Sequence, residues 1–97
     1  MDKSINILFG KELLKIGYKK ETVNHFEKKY GNHIFYVDRD IAEILLLRLM
    51  SIDSFKELKC IESKFVKEWT TLSPSDFIKL ILETEEKYLE VLNNRTS

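Results

Sequence analysis

The sequence predicts an all-α fold, a compact bundle of four to five helices around a buried central helix at residues 41–50. Three observations lead there. Eight of the ten residues from Ile41 to Met50 are apolar, and a helix apolar all round is buried on several sides. The run is too short to span a bilayer, which takes about 20 such residues. Residues 54–72 carry Phe55, Leu58, Ile61, Phe65, Trp69 and Leu72 at helical spacing. Ser73-Pro74-Ser75-Asp76 sets a capping serine, a proline suited to the first helical position and an acid in the first turn ahead of a long amphipathic run.

Taken in order, Ser4 to Ile16 reads as a helix with Ile5, Leu8, Phe9, Leu13 and Ile16 on one side, although Ile5, Ile7 and Phe9 also alternate as in a strand. Gly17-Tyr18 breaks that pattern. Lys20 to Tyr30 is the second expected helix, with Val23, Phe26 and Tyr30 inward, Lys28 and Lys29 in its last turn and Gly31 just past its end. His33 to Val37 is β-branched and aromatic and reads as extended; a single short strand does not stand alone, so it is a packed connector unless it pairs with residues 4–9. Asp40 with Glu43, and Ser54 with Glu57, have the spacing of capping boxes. No Gly or Pro interrupts residues 41–72, which leaves two helices or one bent helix there. The last helix runs from Pro74 to about Asn93, and 94–97 is expected to fray. The whole chain, 1–97, makes a single helical domain.

Composition narrows the function. Sixteen basic and sixteen acidic side chains cancel, so no global field draws the protein to nucleic acid or to an anionic membrane. One cysteine, Cys60, fits a reducing cytoplasm, and with no basic-then-apolar stretch ending in small residues at its start no signal peptide is expected. Thirteen Lys against three Arg suit the AT-rich genome of a low-GC bacterium or its phage. His25 and His33 do not share a helix face and have no ligand close in sequence, three isolated glycines make no phosphate loop, and the serines fall at caps. The expectation is a protein with no catalytic residue, no metal and no cofactor.

A protein–protein interaction module remains, a regulator, inhibitor or immunity-type binder that meets a partner protein or a second copy of itself. The C-terminal helix carries one heptad-spaced row, Phe77, Ile81, Thr84, Tyr88 and Val91, that must pack on the core. A second row, Ile78, Leu82, Glu85, Leu89 and Leu92, lies about 100° round. Helix 1 or a binding partner must cover it, and this row is the expected partner surface, with Glu85 setting register. The alternative is nucleic-acid binding by a helix-turn-helix over the first two helices, through Lys11, Lys15, Lys19, Lys20, Asn24, Lys28 and Lys29. Arginine, the usual reader of guanine, is absent from the first 38 residues. Arg48 and Glu62 fall inside apolar stripes and are candidates for an ion pair that fixes the register of two helices.

Overall fold

A computed structural model describes residues 3–96, with side chains described as far as Asn94. Helix α1 (Ile5–Lys15) leads into strands β1 (Lys19–Thr22), β2 (His25–Tyr30), β3 (His33–Arg39), β4 (Leu45–Ile52) and β5 (Leu58–Val66); a 3-10 turn at Trp69–Thr71 then precedes α2 (Pro74–Thr96). The strands pair antiparallel in chain order, β1-β2-β3-β4-β5. With 38% helix and 37% strand the fold is α+β, which overturns the all-α bundle.

Both helices form where their caps predict. Ser4 Oγ accepts from Ile7 N at 3.1 Å and Asn24 Oδ1 from Ile5 N at 3.0 Å, so two of the amides α1 cannot bond internally are satisfied. Ser73 Oγ accepts from Asp76 N at 3.2 Å at the start of α2. Gly17, at φ +100°, turns the chain out of α1. At the far end α2 continues to Thr96, while Ser97 of the expected frayed tail lies outside the described residues.

Between the helices every expected helix is strand and turn. Residues 20–30 are β1, a turn at Val23-Asn24 and β2. Gly31, at φ +59°, fills the first central position of the two-residue turn that sets Tyr30 opposite His33, so it is a hairpin glycine rather than a helix cap. The extended reading of 33–37 holds, but β3 pairs with β2 and β4 rather than with residues 4–9. The expected central helix is a turn followed by β4, and the expected helix at 54–72 is β5 and the Trp69 turn. At both expected caps there is a turn instead, held by Asp40 at the first and by Asp53 rather than Ser54 at the second. Asp40 Oδ1 accepts from Ile44 N at 2.8 Å, and Asp53 Oδ1 accepts from Phe55 N and Glu57 N, both at 2.9 Å. A short carboxylate reaching a nearby amide serves a turn as well as a helix start, so spacing alone does not separate the two.

Antiparallel partners share a face, so Phe26, Val37 and Leu47 line up across the sheet, as do Phe35 and Leu49. With Leu45 they form the inner layer, on which Ile5, Phe9 and Leu13 of α1 and Phe77, Ile81 and Tyr88 of α2 pack with Trp69. The Phe9 and Phe77 rings stack at 4.0 Å. Trp69 donates its indole N–H to Glu43 O at 2.9 Å, and Tyr88 donates its hydroxyl to Leu47 O at 2.9 Å. Burial pushes the Tyr88 phenol up to about 12, with Glu62 and Cys60 adding to it. Among the described residues no helix is long and apolar enough to cross a membrane.

Candidate functional site: the open face and free edge of the sheet

Because both helices pack on the inner layer, the side chains between the core positions point to the other side of the sheet. Its centre is a charged network. His25 pairs with Asp38 on one row, and Glu27, Tyr36 and Arg48 share the next. His25 Nδ1 meets Asp38 Oδ1, His25 Nε2 lies 2.8 Å from Glu27 Oε1, and Arg48 Nη2 donates to Asp38 Oδ2 at 2.6 Å. The Tyr36 ring packs edge-on to His25 at 4.6 Å and under the Arg48 guanidinium at 5.3 Å. Burial works to lower the His25 pKa, but the bonds and charges of Asp38 and Glu27 outweigh it and raise the pKa above 6.5. Burial and the neighbouring Glu27 carboxylate raise the Tyr36 phenol.

An imidazole facing a carboxylate at each nitrogen must donate from both to satisfy both, which requires the imidazolium. In that form it has no lone pair with which to take a proton, and each N–H is held by a carboxylate. Among the described residues no group of three His, Cys, Asp or Glu side chains could hold a metal ion.

On one flank of this network the surface is apolar. Phe65 is 64% exposed, Leu58 49% and Ile52 41%, and Phe55 in the β4–β5 turn is 84% exposed. Leu58 and Phe65 lie on β5 at the edge of the sheet, Phe55 in the turn before it, and Ile52 ends β4 opposite Leu58. No family model matches the chain, and no curated protein or solved structure matches it. The surface is therefore read from its own chemistry.

The residues singled out from the sequence fall elsewhere. In the second row of α2, Ile78, Leu89 and Leu92 are half-buried against the core. Glu85 is buried and accepts from Tyr18 Oη at 2.8 Å and Lys28 Nζ at 2.9 Å. Leu82 alone of that row is exposed, at 43%. Among the lysines, Lys11 and Lys15 stand exposed on α1, Lys19 and Lys20 on β1, and Lys29 on β2. Lys28 is tied to Glu85, and Asn24 is spent on the α1 cap, so no second helix presents them to a groove. The expected Arg48–Glu62 register pair is replaced. Arg48 pairs with Asp38 on the open face, whereas Glu62 stands opposite Leu49 on the inner one. A half-buried charge does have a partner, but it sits on the adjacent strand.

Glu27, Tyr36 and Asp38 were not picked out from the sequence as site residues, and His25 was weighed there only as a metal ligand. The usable signal was the glycine-led pair Gly31-Asn32 ahead of the β-branched and aromatic run from Ile34 to Val37, since such a pair between two extended runs marks a hairpin. Once the hairpin is drawn, His25 and Asp38 fall opposite each other.

Proposed function

We propose that this protein is a small protein-interaction module whose contact surface is the β5 edge of the sheet together with the adjoining open face. The observation that carries the reading is the row Ile52, Phe55, Leu58 and Phe65, four large apolar side chains held in water along one edge. Large apolar side chains left exposed beside charged ones mark an interaction site, here Ile52, Phe55 and Leu58 towards one end of the edge and Phe65 towards the other. The charged network beside it supplies fixed polar groups of both signs, which favour one partner orientation over others. This surface replaces the row on α2, most of whose members are engaged within the chain. The cytoplasm is the compartment this reading implies, because the exposed Cys60 thiol stays reduced there.

The nucleic-acid alternative gains no support from the arrangement. Its exposed lysines are interleaved with acids, as in the Lys19–Glu21 pair at 3.8 Å, and its reading helix is a hairpin.

The experiment compares proteins captured by the wild type with those captured by Leu58→Ser combined with Phe65→Ser, and by Leu82→Ser on α2. The edge variant should lose a specifically captured partner, self-association included, with its circular dichroism unchanged, and Leu82→Ser should keep it. Loss through Leu82→Ser alone would move the surface back to α2 and overturn this reading.

A further inference from the structure

The sheet has two edges of opposite character. β1 is four residues long, Lys19-Lys20-Glu21-Thr22, all exposed and irregular in register against β2. Short, charged, bulged strands are how proteins blunt an edge against pairing. β5 is nine residues long, and from Glu62 to Val66 it runs in unbroken register with β4. No strand of the described chain pairs with its outer side. Half of its backbone N–H and C=O groups therefore face away from the sheet, ready for another strand.

We infer that this edge is closed by β5 of a second copy, running antiparallel about a two-fold axis at Ser63. The inference rests on the edge being the contact surface and names what occupies it. Side chains opposed across an antiparallel pair share a face, so only registers joining residues an even number apart are open to a two-fold pair. Centring on Glu62 sets two carboxylates on the axis, and centring on Lys64 sets two ammonium groups there; like charges directly opposed are destabilising.

Centring on Ser63 sets two small hydroxyl side chains on the axis. It brings Glu62 opposite Lys64 of the second copy and Lys64 opposite its Glu62, two cross-strand ion pairs from one strand sequence. Beyond these, the bulge at Ile61 turns that side chain to the core, so regular pairing spans Glu62 to Lys64 and Phe65 lies at its margin. Glu62 is also engaged within its own chain, and a carboxylate has acceptor sites enough for both. The product is a continuous ten-stranded sheet with all four helices on one side. The two charged networks then share one open face.

Sedimentation equilibrium of the intact chain over a wide range of concentration tests this. The wild type should show a monomer–dimer equilibrium between 11.5 kDa and twice that mass. Lys64→Glu opposes two carboxylates twice and should weaken the dimer about tenfold or more. Glu62→Lys does the same with cations. Mixing the two variants should restore the dimer, because each then faces its opposite. Should Glu62→Lys fail to fold, Ser63→Lys on the exposed axis position places two cations face to face and should also give monomers, checked for native circular dichroism. A wild type monomeric throughout overturns the inference, as does a dimer indifferent to Lys64→Glu and Ser63→Lys. If the protein is a monomer yet the edge variant loses a different captured protein, the contact surface stands and only its occupant changes.

Discussion

At the scale of single residues, charge placement follows from which side of the sheet a side chain reaches. His25 is three-quarters buried and held by two carboxylates, so its proton is part of the folded structure. Its folded pKa is raised above the unfolded value near 6.5. The stabilisation it gives is therefore fully present below pH 6.5 and is lost as pH rises through the folded pKa. Imidazole titration by NMR should show that upward displacement. His25→Gln should cost about 1–3 kcal/mol at pH 6 and little at pH 9, since hydrogen bonds to charged groups contribute about that much. A variant equally destabilised at both values would show that His25 matters for packing and not for charge. Glu85 solves the same problem inside the core. Lys28 on β2 points to the inner layer and would be an unpaired cation there without it; the Lys28 ammonium also lies 5.6 Å from the Tyr18 ring. Burial and the Glu85 charge raise the Tyr18 phenol, which stays a donor at every pH the fold survives.

At the scale of elements, the deciding segment is β4. Leu45, Leu47 and Leu49 fill the inner layer, while Leu46 and Met50 lie on the open side, so both faces are apolar and no alternation shows. That is why the segment resembles a buried helix: a short continuous apolar run has no period, and only length and flanks decide. Its interior length of eight residues favoured a strand, and Asp40 and Asp53 close to its ends were the turn signals. Both true helices were legible because their caps, Ser4 and Ser73, begin periodic runs. The α2 row Phe77, Ile81, Thr84 and Tyr88 was legible too and is buried. The helical stripe at 55–72 was an accident of spacing. Leu58, Phe65 and Trp69 have helical intervals in sequence, yet they end on a strand, on the same strand's open side and in a separate turn. The face asymmetry makes a direct prediction. Leu47→Ala should cost about 2–5 kcal/mol in urea unfolding, the range for a buried leucine. Phe65→Ala on the neighbouring strand should cost less than about 1 kcal/mol although it deletes more carbon, because an exposed ring has little burial to lose. Equal costs would mean that Phe65 is covered in solution by another chain, and repeating Phe65→Ala in the Lys64→Glu background shows whether that chain is the second copy.

At the scale of the whole molecule, the meander is assembled from neighbouring hairpins, but its core is closed by the two ends of the chain. Ile5, Phe9 and Leu13 come from the first fifteen residues and Phe77, Ile81 and Tyr88 from the last helix, and the sheet between them has one apolar layer to offer each. A sheet of this size with its inner layer bare would leave Phe35, Val37, Leu47 and Leu49 in water, which hairpin hydrogen bonds alone do not offset. Ending the chain at Leu72 should therefore abolish cooperative unfolding rather than trim it. The single tryptophan reports the outcome, because the Trp69 ring is buried with Phe77 of α2 at 6.5 Å and Phe9 of α1 at 6.1 Å. In the shortened chain its emission should move to the red of the intact protein, as for an indole in water. Adding a peptide of residues 73–96 should return it to the blue and restore a cooperative transition, since the peptide carries its own cap at Ser73 and the whole buried row. Were the shortened chain to unfold cooperatively with buried-indole emission, the sheet would have a second core of its own. The residues to supply it are already in place on the open side, where Ile34 and Met50 are buried without any helix above them.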